Sequence, residues 1–547
     1  MGQHTTPFTD FHFQRHPESY RHLKLSIEGA VARLNLDIQE GEGLREGYSL
    51  KLNSYDLGVD IELADAVQRL RFEHPEVTCV VISSAIDGCF SSGANIFMLG
   101  QSSHAWKVNF CKYTNETRLY IEDATANSGQ TYIAALNGVA SGGGYELPLA
   151  CEKIYLIDDR RSAVSLPEVP YLGVLPGTGG ITRVTDKRKV RRDLADVFMT
   201  LAEGIKGKRA KQWGLVDDVF RRSAFDDEVN ARAAEIADGG RPDRVGVALK
   251  PIAPEVDERS IRYDYVTLEF SDEGRVGSLT MHVPADLPQI PSNGRELGCD
   301  WWGLKAWREF DDALLRLRFH YPQCGVVTLH TRGSAQDILA FDHTLLSRQD
   351  DWFVREVTLH IRRVLKRLDV TSKTFFALVD DGSSFAGSLM ELALAADRIY
   401  ALDEEGIEVQ LGPVNRGVFP MGNGISRLAS RFLGSPESVT ELLSRDKPVA
   451  SAEAEEVGLV TFAYDELDWD DEIRMAVEER ASLSPDALTG MESNIRFAGP
   501  ETLETKIFGR LSAWQNWIFQ RDNAVGAQGA LTLYGRPETA RFNFDRT

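Results

Sequence analysis

The chain repeats itself. RLRFEHPEVTCVVIS, Arg69 to Ser83, returns as RLRFHYPQCGVVTLH, Arg316 to His330. AALNGVASGGGYELPLACEKIYLID, Ala134 to Asp158, returns within FALVDDGSSFAGSLMELALAADRIYALD, Phe376 to Asp403. GVLPGTGG at Gly173 is matched by GVFPMGNG at Gly417, and WGLVDDVF at Trp213 by VGLVTFAY at Val457. All four blocks are displaced by 244 to 247 positions. A nearly constant displacement over four blocks reads as two copies of one fold, the first over about 20–225 and the second over about 262–465.

Each copy presents the same signals in the same order. VARLNLD, from Val31, alternates apolar and polar residues as a half-buried strand does. CVVISS and YIAALNG are short apolar runs ending in turn residues, the pattern of buried parallel strands. Helical periodicity separates them, as in DIELADAVQRLRF from Asp60. Strands alternating with helices predict an α/β architecture with a mainly parallel sheet. Between the copies, KPIAPEVDERS (250–260) has the prolines and charges of a linker. Beyond Leu467 the pattern is helical, and ETLETKIFGRLSAWQNWIFQR is amphipathic; its apolar face suits the protein's own core and a second subunit equally.

Composition excludes several function classes. The 547 residues carry a formal charge of −21, a poor match for nucleic acid or an anionic membrane. No run of 18 apolar residues is present, so no membrane span is expected. MGQHTT fits the short acylation pattern at Gly2 and Thr6, a pattern of low specificity. The six cysteines have no metal-ligand spacing and suit a reducing cytoplasm.

The first copy contains three segments with chemical potential. FSSGANIFML (Phe90–Leu99) follows the CVVISS strand with a glycine loop. SGGGYE (Ser141–Glu146) sets three glycines between a strand and a helix. SLPEVPYLGVLPGTGG (Ser165–Gly180) holds a carboxylate among prolines and glycines. Glycines let backbone N–H groups approach a ligand, and two N–H groups aimed at one oxygen stabilise charge developing there. Taken singly, Glu146 reads as a first-turn helix acid and Glu168 as a solvated loop acid. Together, inside ordered motifs, they read as an acid and base pair whose pKa values separate in a partly dry pocket. Cys111, in WKVNFCKYTNE, is a candidate pocket thiol beside the plain reading of a buried small apolar residue. Cys89 reads as packing. The cluster Lys187, Arg188, Lys189, Arg191 and Arg192 reads as a solvated helix face, with phosphate binding as the alternative.

FSSGAN, NGVASGGGYE and LPEVPYLGVLPGTGG, in this order, resemble the crotonase (enoyl-CoA hydratase/isomerase) superfamily. The resemblance implies an α/β fold of two tandem crotonase-like (ClpP/crotonase) cores and a helical C-terminal region. It divides the chain into an extension (1–19), a catalytic core (20–250), a linker (251–261), a second, degenerate core (262–465) and a helical tail (466–547). It implies that Ala94 and Gly143 donate to an acyl-CoA thioester oxygen, and that Glu146 and Glu168 handle water and protons. These glutamates lie 22 residues apart, slightly more than a hydratase would have. NSYDLG (Asn53–Gly58), which recurs as NGRELG (Asn293–Gly298), stands where relatives contact pantetheine.

The doubled length and acidic tail are similar to the ring-opening lyases of the superfamily. This implies a carbon–carbon lyase, of aldehyde-lyase type, acting on 2,3-epoxybenzoyl-CoA or its dihydrodiol in aerobic benzoate breakdown. Two waters would enter, and 3,4-didehydroadipyl-CoA semialdehyde and formate would leave. Cys111 is the proposed pocket thiol in that group. No metal or other cofactor is expected, coenzyme A being part of the substrate, and a homodimer is favoured. An enoyl-CoA hydratase and a non-catalytic CoA-binding scaffold are the alternatives. In the second copy Gly387-Ser388-Leu389 stands opposite the three glycines, Glu391 opposite Glu146, Gly412 opposite Glu168, and TRGSAQD (Thr331–Asp337) replaces the first loop. Missing one carboxylate and one donor loop, that copy is expected to lack chemistry.

Overall fold

The computed structural model describes residues 11–547 apart from 286, 288–290 and 292. Gly2 and Thr6 lie outside the described residues. The described residues divide into two compact units, one of His12–Pro251 and one of Ile252–Thr547 together with Phe11.

In the His12–Pro251 unit the strands are β1 (Leu23–Glu28), β2 (Val31–Leu36), β3 (Ser54–Tyr55), β4 (Cys79–Ser84), β5 (Gly88–Ser91), β6 (Gly93–Ala94), β7 (Thr131–Leu136), β8 (Gly138–Ser141), β9 (Lys153–Asp158), β10 (Ala163–Ser165), β11 (Ile205–Lys206) and β12 (Asp218–Arg221). The main sheet runs β1-β2-β4-β7-β9-β12; only β1 is antiparallel to its neighbour. A second sheet, β11-β10-β8-β5, continues from the ends of β4 and β7. The helices that matter for the site are α1 (Leu57–Phe72), α2 (Ile96–Gln101), α3 (His104–Asp123), α4 (Gly143–Ala150) and α5 (Glu168–Leu172).

Local sequence accounts for these elements. β2 buries every second residue, as its alternation requires, whereas the apolar run of β4 is buried along nearly its whole length. The Asp56 side chain accepts from Gly58 and Val59 N–H and so starts α1. Asn53 joins three strands: its amide donates to Leu36 O, Ser84 Oγ and Phe90 O. The core cluster combines Leu34, Leu36, Leu70, Val80, Ile82, Tyr132, Leu136, Tyr145 and Leu156, all essentially inaccessible. It fixes the ends of β4 and β8, from which the site loops leave. Segment 165–180 departs from the loop expected for it: Glu168 opens the short helix α5, which ends at Gly173 with φ of 62°.

In the other unit, β13 (Glu255–Val256), β14 (Ser260–Arg262), β15 (Val266–Phe270) and β16 (Val276–His282) pair antiparallel. β17 (Val326–Arg332), β18 (Thr374–Val379) and β19 (Arg398–Leu402) follow in parallel. β20 (Glu408–Val409) and β21 (Val449–Ala450) form a separate pair, and β22 (Phe462–Tyr464) closes the eight-stranded sheet beside β19. Lys250–Ser260, read as a linker, contributes β13 and the first residue of β14. Helices recur from Glu466 to Leu533. Among the described residues, no helix is long and apolar enough to cross a membrane.

Candidate active site

Two backbone N–H groups converge at the start of α4. β3 and β6 pair in parallel with Tyr55 opposite Ala94, and Asn95 N–H donates to Tyr55 O at 2.8 Å. In a parallel ladder Tyr55 bonds to the residues flanking Ala94, so the Ala94 N–H points away from β3. Gly143 is the first residue of α4, where an N–H has no acceptor within the helix. A Cβ built on Gly143 would stand 3.2 Å from Ala94 N and 2.1 Å from the Tyr55 hydroxyl oxygen. One built on Gly93 would stand 2.8 Å from Gly143 N and from Ser141 O, and the φ of Gly93 is +89°. The glycines are therefore steric requirements of the close approach between β6 and α4.

Glu146 lies in the first turn of α4, 2% exposed. Its Oε1 accepts Gly180 N–H at 2.7 Å and its Oε2 accepts the Thr178 hydroxyl. Burial pushes the carboxyl above its ordinary value, while these two donors and the charges of Arg118 and Arg183 restrain the rise. The donor turn is itself held, because Arg183 donates to Thr178 O at 3.1 Å and grips Glu122 through two nitrogens at 2.9 and 3.0 Å. Glu168 is in a different state. Its Oε1 lies over Gly142, where a Cβ would come within 2.8 Å, and its Oε2 is buried without a hydrogen-bond partner. Burial, followed by the charge of Glu146, pushes its carboxyl up to about 7. The pair thus divides into a carboxylate anchored by two donors and a carboxyl poised to hold a proton near neutrality.

α3 forms one wall. Cys111 is partly exposed on it, and burial, then the charges of Glu146 and Asp60, pushes the thiol up to about 11. A neutral thiol results, not a nucleophilic thiolate. Asn115, one turn on, donates to Cys111 O and to Gly177 O, both at 3.0 Å, and ties α3 to the glycine turn. Beneath, Arg118 bonds Asp60 at 2.6 Å, and Asp60 also accepts the Thr114 hydroxyl. From Ala94 outward an open groove of about 700 Å³ is lined by Gly47, Tyr48, Lys51, Leu52, Ile96 and Phe97, among others.

Ala94, Gly143, Glu146 and Glu168 are brought together, and Cys111 stands within electrostatic reach of Glu146. The basic cluster is committed in part to structure: Lys187 donates to Glu122 and to Ala150 O, and Arg188 to Gly214 O and Asp217. Cys89 contacts Leu52 O and takes no part in the pocket. Sequence reading missed Tyr55, Thr178, Gly180 and Arg118. Thr178 carried a signal, a hydroxyl among the glycines of PGTGG.

In the other unit the corresponding positions are closed. Ser388 N–H, opposite Gly143, donates at 2.6 Å to the buried carboxylate of Asp342. Glu391, opposite Glu146, is bonded by Arg427 at 3.0 Å and by Asn415 at 2.8 Å. Gly412, opposite Glu168, donates its N–H to Asn415.

Residues 50–259 match the enoyl-CoA hydratase/isomerase family. A curated relative from Aromatoleum evansii, named benzoyl-CoA-dihydrodiol lyase, is 53% identical over 540 residues, covering 98% of this chain and 97% of that one. Among solved structures, an enoyl-CoA hydratase from Geobacillus kaustophilus HTA426 is 32% identical with a TM-score of 0.35, covering 40% of this chain and 75% of its own. One from Bacillus anthracis is 24% identical with a TM-score of 0.34, covering 40% and 77%. The full-length relative and the family match over the site-bearing unit lead to one conclusion: the chain belongs to the crotonase superfamily, the enoyl-CoA hydratase/isomerase family.

Proposed function

We propose that the protein is a carbon–carbon lyase that opens the ring of 2,3-epoxybenzoyl-CoA, or of its dihydrodiol, in aerobic benzoate breakdown. The observation that carries this reading is the end-to-end match to a benzoyl-CoA-dihydrodiol lyase at 53% identity. The chemistry balances: seven acyl carbons and two waters give a six-carbon semialdehyde, 3,4-didehydroadipyl-CoA semialdehyde, and formate. No electron acceptor enters the equation, so the proposed reaction needs no redox cofactor, and coenzyme A arrives as part of the substrate.

Ala94 and Gly143 N–H polarise the thioester carbonyl and make it the sink for charge arising in the ring. Glu146, held by Thr178 and Gly180, takes a proton from water. Glu168, its carboxyl raised to about 7 and so still carrying a proton in a large fraction of molecules at neutrality, delivers one to the epoxide oxygen. Cys111, as a neutral thiol, shapes the acyl wall. The Ile252–Thr547 unit is a second crotonase-like core that has lost its chemistry, followed by a helical tail. The tail exposes Leu503 and Phe508 at 75% and 74%, which favours a homodimer. All six cysteines are unpaired, consistent with a cytoplasmic enzyme.

The test is product analysis. Purified protein given 2,3-epoxybenzoyl-CoA should release one formate per CoA ester consumed. Efficient hydration of crotonyl-CoA with no formate from the epoxide would instead establish the hydratase alternative. A scaffold would bind CoA esters and show the same absence of turnover in wild type, Glu146→Gln and Glu168→Gln.

A further inference from the structure

In NSYDLG, Tyr55 packs its ring in the core, but its hydroxyl, unlike the polar groups of Asn53 and Asp56, holds no element of the scaffold in place. Asn53 ties strands together and Asp56 caps α1. Between them the Tyr55 hydroxyl is buried and makes no hydrogen bond of ordinary geometry, although buried phenols ordinarily do; the Thr178 hydroxyl is near enough to act on it, but Thr178 donates to Glu146. The motif recurs in the second copy with Asn293, Leu297 and Gly298 in place, but with Arg295 at the position of Tyr55. The turn itself therefore does not require a phenol.

The hydroxyl is placed by the elements that place the backbone donors. Tyr55 is the register partner of Ala94 in the β3–β6 ladder. The space left by the missing Gly143 side chain is bounded by Tyr55 Oη on one side and Ala94 N on another. Phe110 packs at 6.1 Å between ring centroids, and the Arg118 guanidinium lies 5.3 Å from the Tyr55 ring, so the phenol has little freedom to turn elsewhere.

We propose that the Tyr55 hydroxyl is a third donor to the substrate's thioester oxygen, beside the Ala94 and Gly143 N–H groups. The proposal rests on the acyl-CoA reading above and deepens it. No proton is transferred: the O–H remains with the phenol and donates a hydrogen bond that strengthens as negative charge gathers on the oxygen. Burial, opposed by Arg118 and by the Thr178 hydroxyl but reinforced by Asp60 and Glu146, pushes the phenol well above its ordinary value and keeps it protonated. An O–H donor suits an enolate oxygen that carries more charge than a ground-state carbonyl.

Tyr55→Phe in the full-length protein tests this. Thr178 keeps its bond to Glu146 when the phenol hydroxyl is removed, so the Tm should stay within about 2 °C of wild type. Formate release should fall about 100-fold in kcat, the typical effect of removing one such donor, with KM changed less than about threefold. Infrared spectra of bound carbonyl-labelled benzoyl-CoA should show a smaller downshift of the thioester stretch in the variant. This readout needs no turnover: if wild type makes no formate the reaction assignment fails, and the carbonyl stretch still decides the role of Tyr55. An unchanged stretch in folded variant overturns the proposal, as does a Tm loss above about 5 °C, which would make the hydroxyl structural.

Discussion

Glu146 and Glu168 carry the same functional group and differ only in their surroundings. Glu146 accepts two hydrogen bonds, while Glu168 leaves one oxygen unpartnered. In the proposed mechanism Glu168, its carboxyl pushed up to about 7 by burial and by Glu146, is the proton donor, so kcat/KM should fall as pH rises through about 7. A pH–rate profile checks this, and in Glu168→Gln that limb should vanish along with most of the turnover. Stability moves in the same direction with pH, while the Glu168→Gln substitution affects it oppositely to activity. A carboxyl raised above its unfolded value contributes stability below about pH 4 that is lost as pH rises through 7. Glu168→Gln, which cannot ionise, should therefore stabilise the protein at pH 8 by about 1–3 kcal/mol, read by denaturant unfolding. Thr178→Val should act differently, removing a donor that favours ionised Glu146. The acid limb of the profile should move to higher pH, with kcat about tenfold lower.

At the scale of elements, the alternation of strands and helices and the positions of the three site segments were legible because each is a contiguous motif in the chain. The alternation in Val31–Leu36, the apolar run Cys79–Ser84 and the glycines 142–144 each report a local requirement that one stretch of chain can reveal. What escaped reading depends on elements meeting. Thr178 and Gly180 reach Glu146 across 34 positions or fewer only because the turn after α5 folds back over α4. Tyr55 lay inside NSYDLG, read as a whole as a place of pantetheine contact, so the phenol itself was not singled out. Asp342 occupies an ordinary amphipathic helix, Ala335–Ser347, with no signature of its contact to Ser388. The tight meeting of β6 with α4 sets the next expectation. Gly143→Ala would drive a methyl into Tyr55 Oη and towards Ala94 N. Turnover should drop at least about 100-fold, because both the donor geometry and the phenol must move. Global stability should fall by only about 1–3 kcal/mol, the range for overpacking. Comparing kcat with the denaturation midpoint separates the two.

At the scale of the whole molecule, equivalent glutamates in the two copies serve different ends. Glu146 is held by a hydroxyl and an N–H and faces the convergent donors. Glu391 is fully buried, bonded to Arg427, which also grips Asp369. The N–H opposite Gly143 is already taken by Asp342, so no donor there is available to a substrate oxygen. A paired substitution exploits the contrast. Glu146→Gln should abolish formate release while the denaturation midpoint stays near wild type. Glu391→Gln should remove a buried charge opposite Arg427 and destabilise its unit by about 3 kcal/mol, the lower end for breaking a buried ion pair because Asp369 still balances the arginine. Its kcat per folded molecule should remain within about twofold of wild type. Active-site titration with a tight CoA ester should give one site per 60.9 kDa chain in both variants. A stoichiometry of two, or a Glu391→Gln protein that folds normally yet turns over slowly, would mean that the second copy still does chemistry.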